Sequence, residues 1–337
     1  MKKALTIATL LGLAGAAQAQ VTVYGLIDVS YGTNKAVADG GTNAYDAIHF
    51  GTGVQGNSTS KIGFKGTTDL GGGIKANFQL EGGIARDDGN VTDPITKTVT
   101  KVGNNGKIGF DRQRWAGLSG GFGEIRAGVQ DSVLFQSLAG FDDNGAANDT
   151  FTGNFNNVPF AGRFTTQLAQ YISPNMGGLT VRAGFTPEGN FKDNTSAATT
   201  AATQNNKASF ALAANYAAGP VSAALAYEAK GNSDGKDLLV AGASYDLGAI
   251  KLNAVYADGG QNAKGYKVGF SVPVAGATVG VAYSQNADTK NSGTEFFANK
   301  AVFKNTYAYL DAGTFHQDSG VGSGDKQIYS VGMMFVF

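Results

Sequence analysis

The chain has 337 residues, 50 of them glycine and only 6 proline, with 10% aromatic and 15% charged side chains. The aromatic content excludes a disordered chain, the proline count excludes collagen-like and Pro-rich linker sequence, and equal numbers of basic and acidic residues, 26 each, give no electrostatic footprint for nucleic acid. No cysteine is present, which removes disulfides, thiolate zinc sites and iron–sulfur clusters, and the only imidazoles are His49 and His316.

The first segment reads as a targeting signal. Met1-Lys2-Lys3 is a short basic start, Ala4 to Ala17 is an apolar run of 14 residues, and Ala17-Gln18-Ala19 is an A-x-A cleavage site. The run is too short to span a bilayer as a helix. Residues 1–19 are therefore expected to be a signal peptide, and the mature chain to start at Gln20 outside the cytoplasm. It keeps 24 basic and 26 acidic residues, since Lys2 and Lys3 are lost. No later stretch reaches 18 consecutive apolar residues.

From Val21 onward one period dominates, alternation at two. Val21, Val23, Ile27, Val29 and Tyr31 share one parity, Thr22, Asp28 and Ser30 the other. Ile62, Phe64 and Leu70 alternate with Lys61, Lys65 and Asp69. Ile74, Ala76, Phe78 and Leu80 alternate with Lys75, Asn77, Gln79 and Glu81. The same holds for Leu179 to Phe185, and for Ile250, Leu252, Ala254 and Tyr256 against Lys251 and Asn253. Such runs predict strands with one apolar and one polar face.

Seven tight turns, most of them Gly-rich, centre on Gly72, Gly121, Met176, Gly219, Gly248, Gly276 and Lys304. Long polar connections alternate with them, at about 34–58, 87–106, 132–164, 188–207, 231–236, 258–264, 286–294 and 317–326. The last three gaps between turn centres are 29, 28 and 28 residues, room for two strands of about 10, a loop of about 6 and a turn of 2. Seven hairpins make 14 strands, and one strand before them (21–33) and one after (327–337) bring the total to 16. An even count with both ends on the tight-turn side closes a barrel.

The environment follows from the faces. A transmembrane barrel turns the apolar face to lipid and the polar face to a water-filled lumen, and strands of about 9–11 residues suit a tilted crossing. Aromatic residues such as Tyr171, Phe185, Tyr216, Tyr245, Tyr256, Tyr266, Tyr283 and Tyr329 fall near strand ends, where interfacial girdles belong. The prolines all fall in loops, turns or strand ends, where no ladder N–H is lost. Leu252 is expected to face lipid near mid-membrane, and Asn253 to face the lumen. The predicted fold class is therefore all-β, a 16-stranded antiparallel transmembrane β-barrel over residues 20–337.

Certain motifs, in order, carry a family resemblance. They are Val21-Thr22-Val23-Tyr24-Gly25-Leu26-Ile27-Asp28, Ile62-Gly63-Phe64-Lys65-Gly66-Thr67-Thr68-Asp69-Leu70-Gly71-Gly72-Gly73, Ala76-Asn77-Phe78-Gln79-Leu80-Glu81, Arg112-Gln113, Gly117-Leu118-Ser119-Gly120-Gly121-Phe122-Gly123 and Tyr171-Ile172-Ser173-Pro174. The mature chain resembles the trimeric general porins of β-proteobacterial outer membranes. Two departures stand out: Gly128-Val129-Gln130 where the family often has Gly-Arg-Gln, and Met334 to Phe337 without the basic residue that often precedes the final Phe. The resemblance implies a homotrimer embedded in outer-membrane lipid, brought there by periplasmic chaperones and the barrel-assembly machinery. It also implies passive diffusion of small hydrophilic solutes and ions, with no cofactor, metal or catalysis. A substrate-specific channel, a barrel hydrolase and a secreted β-protein without a pore are the alternatives.

Candidate functional residues follow. Tyr329, Val331, Met333, Phe335 and Phe337 share the lipid-facing parity of the last strand, and the resemblance adds an assembly signal ending in Phe. Connection 132–164, at 33 residues the longest, mixes Asp142, Asp143 and Asp149 with Phe135, Phe141, Phe151, Phe155 and Phe160. Loops this long are functional or disordered, and a solvated loop has little use for five Phe. It is expected to fold into the barrel and narrow it, as the family's third loop does. Lys61, Lys65, Lys75, Arg126 and Arg182 on the polar parity, with Arg163 at the loop's exit, are expected to face it across the constriction. Acids against bases would set up a transverse field, and the excess of bases points to weak anion preference. Arg112 and Arg114 share the parity of Phe110 and Leu118, which is outward unless a bulge intervenes. Gly51 to Gly56 matches G-x-G-x-x-G, but no helix follows it to make a dinucleotide site.

Overall fold

The computed structural model describes residues 20–33, 46–50, 56–84, 91–92, 99–100, 109–144, 163–188, 208–229, 236–259, 264–317 and 324–337. The expected signal segment with Ala17 and Ala19 lies outside them, as does Asp149. Sixteen of the described strands form one barrel: β1 (Gln20–Thr33), β2 (Lys61–Gly71), β3 (Ile74–Gly83), β4 (Gln113–Gly120), β5 (Gly123–Asp131), β6 (Phe164–Ile172), β7 (Leu179–Thr186), β8 (Ser209–Ala218), β9 (Val221–Glu228), β10 (Leu238–Asp246), β11 (Lys251–Asp258), β12 (Lys264–Val274), β13 (Ala277–Asn286), β14 (Ser292–Phe303), β15 (Thr306–Gln317) and β16 (Gly324–Val336). Each pairs antiparallel with the next in sequence, joined on one side by the seven tight turns.

The barrel closes where its ends meet. β16 pairs with β1 from Leu26↔Val336 to Gly32↔Ser330. Gly25 and Phe337 exchange backbone hydrogen bonds of 2.8 and 3.1 Å. Closure removes the sheet edge, the condition for a sheet to survive in hydrocarbon, where no water can satisfy a free N–H or C=O.

Two expected loops contain strand. β2 covers β1 only from Gln20 to Leu26, so the far half of that flank is free, and Asp46–Phe50 pairs there with Val29–Thr33. A small ladder joins Val91–Thr92 to Val99–Thr100. The expected connection 286–294 is shorter than its sequence suggested. The Asn286 side chain accepts the backbone N–H groups of Asp288 and Thr289, both at 2.9 Å, and β14 resumes at Ser292.

Alternation places the faces as expected. Leu252 is 44% exposed on the outside while Asn253 is 6% exposed on the inside. Outward Val, Leu and Phe form a continuous apolar surface bounded by aromatic pairs such as Phe210–Tyr227 and Tyr266–Tyr283. A water-soluble monomer does not carry such a patch. Among the described residues no helix is long and apolar enough to cross a membrane, so the strands make the crossing. Leu252 is not near mid-membrane. It pairs with Tyr245 and Phe270 one residue from the start of β11, in the aromatic girdle on the tight-turn side.

The inner face is less uniform than its alternation implied. From β8 to β11 it carries Ala211, Ala213, Ala224, Ala226, Leu238, Val240, Val255 and Ala257, all buried. They are covered by a segment that leaves β5 and lies against them, the helix α1 (Val133–Leu138) and a 3₁₀ turn, Ala139–Phe141.

Candidate functional site

The site is the lumen, shaped by the start of the β5–β6 connection. The base of that connection is clamped. Ser132 donates its N–H to the Arg163 carbonyl at 2.6 Å, and Arg163 Nε meets Asp131 Oδ1 at 3.1 Å. The Arg163 guanidinium lies between the rings of Phe135 and Phe164, 4.5 and 5.0 Å from their centroids. Burial draws its pKa down from the ordinary value, with Asp131 acting in the opposite sense. The Ser132 side chain caps α1 by accepting from the Phe135 N–H. Val133, Leu134, Leu138 and Phe141 then pack on the alanine-rich wall. Gly242 makes room for Phe141: a Cβ there would stand 2.6 Å from that ring's Cε2.

Beyond the helix the chain turns polar and crosses to further inward residues. Asp142 pairs with Lys267 of β12 at 2.8 Å, both buried. Asp143 pairs with Lys251 of β11 at 2.8 Å and accepts from Asn253 at 2.6 Å. Asn144 reaches Glu295 on β14 and Asp311 on β15.

The basic side is built from β2 to β7. Arg112 Nε binds Glu81 Oε1 at 2.6 Å, with Lys61 4.0 Å from the same carboxylate's other oxygen. Arg126 lies over Trp115, 4.7 Å from its centroid, and is held by neutral amides, those of Gln130 at 2.5 Å, Gln170 at 3.0 Å and Gln136 of α1 at 3.0 Å. Its nearest carboxylate, Glu124, is 4.0 Å away. Arg182 donates to Asn215 at 2.6 Å. Lys65 is exposed, 5.3 Å from the Tyr24 centroid, in a hollow of about 480 Å³ that Trp115, Gln79 and Glu124 also line.

Several expectations need adjusting. Lys75 does not join the others. It is exposed one residue from the β2–β3 turn, opposite Asp69, at the mouth of the barrel. Asp142 and Asp143 do not stand free against the early bases, since each has its own lysine on the wall. Arg112 points inward and is buried, because it precedes the start of β4 and escapes that strand's parity, whereas Arg114 lies within β4 and is exposed outside. Lys251, on the polar face with Asn253, and Lys267, Glu295 and Asp311 stand outside the expected constriction set, although each alternates with an outward apolar residue, Leu252, Val268, Phe296 and Leu310, and parity alone identifies them as lumenal. Asn144 left no comparable signal.

A closed barrel with an apolar outside, aromatic girdles and an ionised interior is a transmembrane channel of the bacterial outer-membrane kind. Comparison with known proteins agrees. A family model described as Gram-negative porin matches residues 4–333. Outer membrane porin protein 32 of Delftia acidovorans is 30% identical over 299 residues, 82% of this chain and 77% of that protein. An outer membrane porin protein of Bordetella pertussis is 31% identical over 81% of this chain and 74% of that one. The solved structure of an anion-selective porin from Comamonas acidovorans superposes with a TM-score of 0.69 at 23% identity, covering 95% of this chain and all of that one, a likeness of fold. The chain belongs to the Gram-negative porin family. It is an outer-membrane porin, a passive diffusion channel and not a barrel hydrolase.

Proposed function

We propose that this porin passes small hydrophilic solutes and ions with a weak preference for anions, and that connection 132–164 sets its narrowest point. The observation that carries the preference is how the charges are paired. Asp142, Asp143, Asp131 and Glu81 each lie beside a base within 3.1 Å, and the amide-held acids Glu295 and Asp311 are fully buried and do not line the passage. Arg126 and Arg182 are instead served by neutral amides within 3.2 Å, which hold a guanidinium in place without cancelling its charge. Screening over about 8–10 Å leaves only charges lining the passage to act on an ion. A relative whose solved structure is described as anion-selective is in keeping with this reading. Reversal potentials across planar bilayers in a salt gradient test it. Arg126→Glu with Arg182→Glu is expected to shift the preference to cations, and an unchanged reversal potential would overturn the assignment.

The same reading includes a homotrimer, removal of residues 1–19 after Ala19, and an assembly signal in β16. Tyr329, Val331, Met333, Phe335 and Phe337 all face outward and are exposed, and the last two rings stack with centroids 5.9 Å apart. That row is available to a barrel-assembly partner until lipid covers it.

A further inference from the structure

We propose that the inner wall of β1 to β5 carries a weak, saturable subsite for a neutral polyol of monosaccharide size, in the hollow beside Trp115. The hollow lies toward the tight-turn end of the barrel, since two of its lining residues, Ser119 and Glu124, flank the β4–β5 turn. Short turns face the periplasm in barrels of this kind, so it belongs to the periplasmic half of the lumen. Its volume of about 480 Å³ is that of a small-molecule site, for which about 300–1,000 Å³ is usual.

Two rows of lumenal side chains build it. Thr22 stands opposite Lys65, Lys65 opposite Gln79 and Gln79 opposite Trp115. One row nearer the turns, Gln20 faces Thr67 and Thr67 faces Asn77. Asn77 in turn faces Gly117, which leaves the space between Trp115 and Ser119 of the same strand unfilled. Backbone crowding keeps a side chain out of that position: a Cβ on Gly117 would stand 2.5 Å from the Ile125 carbonyl oxygen. The polar groups are held in place yet keep capacity. Thr67 Oγ1 donates to Asn77 Oδ1 at 3.0 Å, and Asn77 Nδ2 donates to Ser119 Oγ at 2.8 Å. Gln79 Nε2 donates to the Tyr24 hydroxyl at 2.6 Å. A primary amide has two N–H donors and two lone pairs. Among the described residues Asn77 therefore keeps one N–H and one lone pair, and Gln79 one N–H and its carbonyl.

This chemistry favours a neutral ligand. Lys65 and Glu124, the charged residues among the described lining, have opposite signs and sit on strands three spacings apart, roughly 14 Å. Each is engaged at its own edge, Lys65 against the Tyr24 ring and Glu124 4.0 Å from Arg126. Between them N–H, O–H and C=O groups alternate. An anion uses donors only and a cation acceptors only, whereas a hydroxyl does both, so hydroxyls on adjacent carbons match the row. The C–H face of such a solute suits an indole. Trp115 Nε1 is moreover a buried donor with no acceptor among the described residues, a deficit that a solute oxygen would meet.

Trp115 is the only tryptophan in the chain, so the emission of the porin in lipid vesicles reports on the hollow. Glucose is the probe. The expected result is a saturable emission shift with a millimolar dissociation constant, and current interruptions in planar bilayers that saturate with the same constant. A short polyethylene glycol, whose ether oxygens accept but do not donate, is expected to lower the current without saturating. Raising salt from about 0.1 to 1 M, which shortens the screening length from about 10 to 3 Å, should leave glucose binding unchanged. Gln79→Ala and Asn77→Ala both keep Trp115, and each is expected to weaken binding up to about tenfold, as the loss of one hydrogen bond would. A response to glucose that never saturates in the wild-type channel overturns the proposal, whatever the variants do. So does saturation by the polyethylene glycol with the same constant, a steep fall of binding with salt, or an unchanged constant in either variant that still shows its heat-modifiable band. None of these readouts depends on ion preference or on connection 132–164, so failure here leaves the proposed function standing, and the reverse.

Discussion

Replacing Leu225 by arginine measures how the wall sits in the bilayer. Leu225 is 54% exposed on the outer face of β9, between Ala214 of β8 and Ala241 of β10. Two residues away on one side is Tyr227. Two residues away on the other is Ala223, which pairs with Tyr216. The site is therefore midway between the girdles, where a lipid-facing arginine costs about 2–4 kcal/mol. At tenfold per 1.4 kcal/mol this is roughly a 30- to 700-fold loss in the folding equilibrium. Leu252→Arg, level with Tyr245, should cost only about 0–1 kcal/mol, the value near an interface. Ser222→Arg, on the same strand as Leu225 but facing the lumen, should stay within about 0.5 kcal/mol. Trp115 is the only tryptophan in the chain and lies inside the barrel against Arg126, so its fluorescence reports folding into lipid vesicles during urea titration. Equal costs at Leu225 and Ser222 would refute the assignment of faces, and equal costs at Leu225 and Leu252 would refute the assignment of depth.

Gly242→Leu pushes a side chain into the space of the Phe141 ring. Overpacking of about 1–3 kcal/mol should lift the 3₁₀ turn and change the size cut-off for neutral solutes in liposome swelling, while the barrel persists. Phe337→Ser removes the ring that lies over Gly25 at the β1–β16 seam and should slow assembly, read as delayed appearance of the heat-modifiable form. Electrophoresis in mild detergent should show a band near three times the mature mass that heating collapses, and a conducting species that is only monomeric would contradict the trimer. N-terminal sequencing of protein from outer membranes should begin at Gln20, and a retained Met1 would contradict the cleavage site.

The barrel was legible because lipid and water act on every residue of a strand in turn. Leu252 and Asn253, one bond apart, report opposite solvents. Tight turns were legible because they need residues that accept a left-handed backbone. Gly72 and Gly276 have φ of 63° and 75°, and the two non-glycine turn residues Ala275 and Asn305 reach 50° and 59°. The lumen was legible only in part. Parity identifies which charges point inward, and would have identified Lys267 and Asp311, but it does not say which meet across the barrel. Asp142 and Lys267 are 125 positions apart and become partners only when the sheet closes and the loop lies across it. Arg112 shows the other limit, since parity means nothing one residue before a strand begins.

The wall from β8 to β11 held a signal that simple alternation overlooks. Ser209 to Ala218 reads SFALAANYAA, apolar at both parities. A strand apolar on both faces is covered on both. Lipid covers one face of β8, so the other must be covered from within, and α1 is what covers it. The buried apolar cluster of the described residues is therefore not the foundation of the barrel, which is held by its closed ladder and by lipid. It is the contact between loop and wall. In a soluble domain a substitution in such a cluster threatens the fold, through a cavity and lost transfer energy. Here the same loss falls on the segment laid against the inner wall, Val133 to Phe141. Mutations at Leu134, Leu138, Phe141 or Gly242 should therefore register as altered conductance before they register as unfolding. The part of this porin that resembles an ordinary protein core is the part proposed above to set its narrowest point.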